Sequence, residues 1–116
     1  MNGIISVNLG GKLRPLRFGM LAFEKLLEIA EEKDSKIKSN AKVIYAGLIN
    51  AAEVNNSVVD FSFADVYGWI DDMFCSHEGN ETLSEIERCF EQSNMYQNIL
   101  KPQIDKKKEL SQAQTK

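Results

Sequence analysis

A pair of glycines near the N-terminus, Gly10 and Gly11, constrains the fold of this chain more than any other sequence feature. Apolar and polar side chains alternate toward the end of the segment 4–9. Apolar side chains occur again in the segment 13–18, after the glycine pair. Glycine readily adopts the positive φ of a tight hairpin loop, and an alternation of period two is typical of a half-buried strand. The sequence therefore predicts an N-terminal β-hairpin.

The register of this hairpin depends on the length of its loop. A loop of three residues, 10–12, requires one extra residue in the second strand to bring apolar side chains face to face, which is a β-bulge near Pro15. Proline suits a bulge because it has no N–H to donate to the strand ladder. The bulge turns Arg14 or Arg17 outward. The predicted pairs are Val7 with Leu16 and Ile5 with Phe18.

Apolar side chains at helical spacing follow the hairpin and predict about four α-helices. The first runs from residue 19 or 20 to 32, and Phe18 and Phe23 are expected to be buried where the hairpin meets it. Asn40 is the predicted cap of the second helix, and Gly47 inside that helix indicates close packing. The predicted inner face of the first helix consists of Met20, Phe23, Leu27 and Ala30.

Capping boxes predict the starts of the last two helices, because a Ser or Thr side chain and an acidic residue three positions later satisfy the first N–H groups of a helix. A loop is predicted between these helices, over 77–81, and the apolar residues within 95–100 extend the fourth helix. The two boxes are Ser62 with Asp65 and Thr82 with Glu85.

The composition indicates a single globular domain. The chain has 116 residues, of which 43% are hydrophobic and 27% are charged, and this balance is typical of folded proteins rather than disordered ones. No apolar run approaches the roughly 20 residues of a membrane span, and no signal-peptide pattern opens the chain. We predict an α+β domain over 1–100, a hairpin packed on a helical bundle, and a flexible Lys/Gln-rich tail over 101–116.

Charge is distributed unevenly along the chain. Residues 1–52 carry eight Lys/Arg and five Asp/Glu, residues 53–91 carry one and ten, and residues 92–116 carry five and two. The acidic middle segment disfavours a nucleic-acid surface there because it repels phosphates. It is either a solvated helix face or a surface for a basic partner.

The titratable residues do not form a catalytic pattern. His77 is the single histidine, and no Ser or Cys is placed by the sequence as its nucleophile. A disulfide between Cys75 and Cys89 is geometrically possible, but both are expected to be buried and reduced. With His77 they offer too few ligands for zinc. The glycine pair lacks the remaining residues of a phosphate loop. We therefore predict no enzymatic activity, no cofactor and no metal.

Two groups of residues are candidates for contact with another protein. The cations of the hairpin either attract a partner strand to its free edge or guard that edge against pairing. Two consecutive valines before the third helix have the least obvious place in a core. The candidate contact residues are Lys12, Arg14, Arg17, Val58 and Val59.

The first quarter of the chain also carries a family signature. A short strand, a Gly-Gly-Lys turn, a strand closing on Leu-x-Phe-Gly and a helix opening Met-x-Ala-x-x-x-Leu follow one another. This order resembles the N-terminal signature of phage tail assembly chaperones, small proteins encoded just ahead of the tape-measure protein in tailed phages and prophages. The residues that carry the resemblance are Leu9, Gly10, Gly11, Lys12, Leu16, Phe18, Gly19, Met20, Ala22 and Leu26.

The resemblance implies a non-catalytic protein of the host cytoplasm that coats the apolar parts of the tape-measure protein and helps to bring tail-tube subunits to it. Shielding a long client calls for many weak sites on small subunits, and so for a homo-oligomer. The family often has a second, frameshifted product, for which Lys106 to Lys108 offer a place. The alternatives are a structural tail or head-tail connector protein of the virion and a small nucleic-acid-binding regulator.

Overall fold

The computed structural model describes residues 3–105 and arranges them as a two-stranded antiparallel sheet followed by five helices. This arrangement confirms the predicted α+β class. The final helix passes through Pro102, beyond the predicted domain end at residue 100, and the rest of the predicted tail, with Lys106 to Lys108, lies outside the described residues. The elements are β1 (Ile4–Leu9), β2 (Lys12–Arg17), α1 (Met20–Ile29), α2 (Lys36–Asn55), α3 (Phe63–Phe74), α4 (His77–Glu91) and α5 (94–105), whose centre, Tyr96–Leu100, is π-helical.

The hairpin has a two-residue turn, so the predicted three-residue loop and bulge are wrong. Gly10 and Gly11 both have positive φ, 63° and 80°, as a type I′ turn requires, and this turn matches the twist of paired strands without a bulge. The strands pair in continuous register. The observed pairs include Leu9 with Lys12, Val7 with Arg14, and Ile5 with Leu16.

This register moves Arg14 to the inner face of the hairpin. Residues directly opposite each other share a face of the sheet, so Arg14 lies beside Val7 and is buried, whereas Arg17 and Leu13 lie outside. The turn itself packs closely against α3. A Cβ atom on Gly10 would lie 2.4 Å from the ring of Trp69, so this position requires glycine for space as well as for conformation.

Phe18 lies at the centre of the core. Its ring is buried and meets Phe90 of α4 edge to face, with 5.2 Å between the ring centroids. A Cβ atom on Gly47 of α2 would lie 2.6 Å from Cε1 of the Phe18 ring. The predicted close packing at Gly47 is therefore confirmed, and the group packed there comes from the residue that follows the hairpin. Phe23 is also buried, as predicted.

Helix α1 presents a different face to the core from the one predicted. Ala22, Phe23 and Leu26 are buried, whereas Met20 and Leu27 are exposed. The physical reason lies in α2, because Asn50 Oδ1 accepts hydrogen bonds from the backbone N–H of Gly19, at 2.9 Å, and of Ala22, at 3.1 Å. Gly19 is the N-cap and has no side chain of its own to cap the helix. The amide of Asn50 therefore orients α1.

Two of the four predicted helix starts are correct, and the first of them is that of α1 at Met20. The capping box of Ser62 and Asp65 is present at α3. Helix α2 begins after Ser35, whose hydroxyl accepts from the N–H of Lys38, and not at Asn40. Helix α4 begins after Ser76, whose hydroxyl accepts from the N–H of Gly79, so the predicted loop over 77–81 is helical. A single Ser that accepts one N–H suffices as a cap, and neither Ser35 nor Ser76 has the acidic partner of a full box.

We expect Gly47→Ala to destabilise the protein by about 1–2 kcal/mol, because overpacking against Phe18 outweighs the better helix propensity of alanine. Gly68 is the matched control, since it is an exposed glycine of α3 with no atom within 4 Å of an added Cβ. Gly68→Ala should stabilise by roughly 0.5–1 kcal/mol. Urea unfolding of the two variants measures both effects, and equal shifts of the same sign would contradict the packing at Gly47.

We expect Asn50→Ala to cost about 1–3 kcal/mol for each N–H group that it leaves without an acceptor. Asn50→Asp keeps an oxygen at the N-terminus of α1 and should recover most of that loss. Asn55→Ala is the control, because Asn55 is an exposed residue at the end of the same helix, and it should stay within about 0.5 kcal/mol of wild type. Thermal and chemical unfolding report these differences.

Candidate protein-contact surface at the hairpin

The structure brings together three of the five predicted contact residues. Lys12, Arg14 and Val58 line one shallow pocket of about 150 Å³ between the hairpin and the loop that follows α2. Val59 is the next residue of that loop and is also exposed. Arg17 lies at the other end of β2, opposite Ile4, and does not line the pocket. We call the exposed part of this region the hairpin surface, and it consists of Lys12, Leu13, Pro15, Ser57, Val58 and Asp60.

The side chain of Arg14 lies beneath the hairpin surface and is not part of it. Its guanidinium carbon lies 4.6 Å from the centroid of the Trp69 ring and 5.5 Å from that of Phe61, within the range of cation–π attraction. Its Nε donates to the carbonyl of Leu9 at 2.9 Å, and its Nη1 donates to Asp60 Oδ1 at 2.8 Å. Of the two arginines of which one was expected to turn outward, Arg17 is exposed, whereas the register position of Arg14 and these contacts hold Arg14 inside.

Asp60 connects the loop to the hairpin through two cations. Its Oδ1 accepts from Arg14, and its Oδ2 accepts from Lys12 Nζ at 2.9 Å. The hydrogen bond from Arg14, and after it that from Lys12, lowers the pKa of the Asp60 carboxyl from 3.8 to about 2. Asp60 was missed by sequence reasoning. The available signal was its position as the single carboxylate between Glu53 and Asp65 in a chain whose hairpin carries three cations.

The hairpin surface presents apolar side chains to solvent in a fixed backbone conformation. Val58 is 88% exposed and Leu13 is 64% exposed. Asn56 ends α2 in the left-handed region, with φ of 55°, and the N–H of Ser57 donates to the carbonyl of Ala52 at 2.8 Å. These caps and the Asp60 ion pairs hold the loop at both ends. The exposure of Val58 and Leu13 is therefore built into the fold, and such exposed apolar groups favour contact with a protein.

The other candidate residues are spread over the surface. His77 Nε2 lies 3.0 Å from Glu81 Oε1 on the exposed side of α4. Both cysteines are free, and Cys75 is exposed at the end of α3, contrary to the expectation of burial, whereas Cys89 is half-buried and its burial raises the pKa of its thiol. Within residues 3–105, no three His, Cys, Asp or Glu side chains come together in a way that would hold a metal ion.

Comparisons with known proteins give no relative from which a function could be transferred to this chain. No family model matches the chain, and neither the curated proteins nor the solved structures contain a match. None of the helices in the described part of the chain has the length and apolar character needed to cross a membrane.

We expect the two ion pairs of Asp60 to make stability depend on pH between about pH 4 and pH 2. Because the pKa falls from 3.8 to about 2 on folding, the stabilisation is present above the unfolded-state pKa and is lost as pH falls through the folded-state value. Asp60→Asn should therefore be less stable than wild type at neutral pH, and the difference should shrink toward pH 2. Asp34, whose pKa is also lowered, chiefly by its hydrogen bond from Lys42, is present in both proteins and cancels in this difference. A constant difference from pH 6 to pH 2 would contradict the assignment.

Proposed function

We propose that this protein is a phage or prophage tail assembly chaperone, which binds the tape-measure protein and helps to recruit tail-tube subunits in the host cytoplasm. The observation that carries the proposal is the N-terminal signature. Its residues form one continuous unit of the fold: the glycine turn, the buried Leu16 and Phe18, the Gly19 cap, and the buried Ala22 and Leu26 of α1.

The surface of the protein is compatible with this role. Exposed apolar side chains occur on the hairpin and on the loop before α3, represented by Leu13 and Val58. A client with long apolar helices has to be covered until its partners arrive, and many weak contacts on repeated small subunits achieve this by multivalency. The proposal requires no catalytic residue, cofactor or metal, and it places the protein among protein-binding modules.

Co-expression tests the proposal. The chain should keep the product of a long, helix-rich reading frame encoded directly downstream in solution, and should co-purify with it, whereas purified virions should lack the chain. Stoichiometric retention in virions would instead support a structural tail or connector protein. Salt-sensitive retention on DNA would support the regulator, because phosphate contacts release counterions.

We expect Leu13→Asp combined with Val58→Asp to reduce co-purification of the client or of tail-tube subunits severalfold, with a melting temperature within a few degrees of wild type, because both side chains are exposed. Leu27→Asp is the matched control, since Leu27 of α1 has the same exposed fraction as Leu13, 64%, and lies outside the hairpin surface. Equal losses in both proteins would show that the hairpin surface has no special role.

A further inference from the structure

A second groove, lined mainly by apolar side chains, lies on a different part of the molecule from the hairpin surface. It has a volume of about 490 Å³ and is bounded by the end of α1, the first half of α2, the second half of α4, and α5. Its lining is mainly apolar. The side chains that form its floor and walls include Leu26, Ile44, Ile86, Phe90, Leu100 and Ile104.

Carboxylates surround this apolar lining. Glu31, Glu87 and Glu91 line the groove and are exposed, and none of the ion pairs found within residues 3–105 involves them. Asp34 also lines the groove, but Lys42 neutralises it, because Lys42 Nζ lies 2.7 Å from Asp34 Oδ2 and also donates to the carbonyl of Ile29. Among the described residues, the one cation of the lining is therefore already paired, and the charge that these residues leave to a ligand is negative.

We propose that this groove binds an amphipathic helix of a separate protein, with an apolar stripe flanked by lysine or arginine. Binding of a helix in a groove requires apolar side chains at i, i+3, i+4 and i+7 for the floor, and flanking side chains that suit the rim. Lysine and arginine bury their apolar stems while their charged ends remain near the carboxylates. The inference deepens the proposed function, on which it rests for the source of the helix, a tape-measure protein.

A second copy of this chain fits the groove less well. The hairpin is its element richest in cations, but two of the three, Lys12 and Arg14, are already bonded to Asp60 of their own chain, and Arg14 is buried. Acidic helices fit poorly as well, because like charges that face each other across an interface cost affinity. The pairing of Lys12 and Arg14, together with the unpaired carboxylates of the rim, favours a basic helix from another protein.

The test uses a fluorescently labelled synthetic peptide of roughly five helical turns, about 18 residues, with leucines at i, i+3, i+4 and i+7 and lysines elsewhere. A twin peptide carries glutamate in place of lysine. The full chain should bind the lysine peptide at least tenfold more tightly than the glutamate peptide. Glu87→Lys combined with Glu91→Lys should weaken binding of the lysine peptide at least tenfold and strengthen binding of the glutamate peptide.

A matched variant separates the groove from general attraction between opposite charges. Asp71→Lys combined with Asp72→Lys makes the same change in net charge on the exposed side of α3, outside the groove lining, and should alter peptide affinity less than threefold. Equal losses in both variants, or no preference for the lysine peptide, would overturn the assignment. Shifts of the amide NMR signals of Leu26, Ile44 and Ile86 in Lys106→Gln, Lys107→Gln, Lys108→Gln without peptide would also overturn it, because these groove residues are distant in sequence from the substitutions and would shift only if the chain's own segment occupied the groove.

The same variants distinguish this inference from the proposed function. Loss of client co-purification in the groove variant, with retention in the Asp71, Asp72 variant, supports both. Co-purification that survives the groove variant overturns the groove as the client site and leaves the chaperone proposal standing. Peptide binding as expected, without any co-purification of the downstream product, overturns the chaperone proposal and leaves the groove as a site for basic helices.

Discussion

The position of the hairpin depends on the interactions of the buried guanidinium of Arg14. It joins the carbonyl of Leu9 before the turn, Asp60 in the loop after α2, and the ring of Trp69 on α3. A charge this buried is tolerated only when it is paired and hydrogen-bonded, since removal of one partner leaves an uncompensated charge in a weakly polar environment. Arginine suits this position because its planar guanidinium stacks on an aromatic ring and carries several N–H donors in a fixed geometry. Lysine offers neither.

Some local features of the fold could be predicted from the sequence, whereas most of the contacts between distant residues could not. The glycine turn and the capping box at Ser62 depend on residues within a few positions of each other, and both were predicted. The inner face of α1 depends on Asn50, which is 31 positions from Gly19 in the chain, so no local pattern contains it. The predicted strand register was wrong because only apolar side chains were assumed to lie on the inner face of the hairpin. The side chain of Arg14 occupies a position on that face.

The candidate surface was predictable in part for the same reason. Val58 lacks a helical or strand pattern and was correctly expected outside the core. The role of Asp60 and the groove between α1, α2, α4 and α5 both depend on elements distant in sequence that meet only in the folded protein. A sequence therefore indicates which residues lie outside the core, whereas tertiary packing determines which residues they contact.

The cap that Asn50 supplies to α1 has a consequence for folding during synthesis. The hairpin and α1 leave the ribosome before α2, and the N–H groups of Gly19 and Ala22 find their acceptor only after α2 has been translated as far as residue 50. Phe18 likewise makes its packing contacts with Gly47 and Phe90 only after those residues have been translated. Chain elongation at about 5–20 residues per second therefore leaves the N-terminal quarter without its tertiary contacts for seconds. During that interval its apolar strands depend on tight local pairing at the glycine turn.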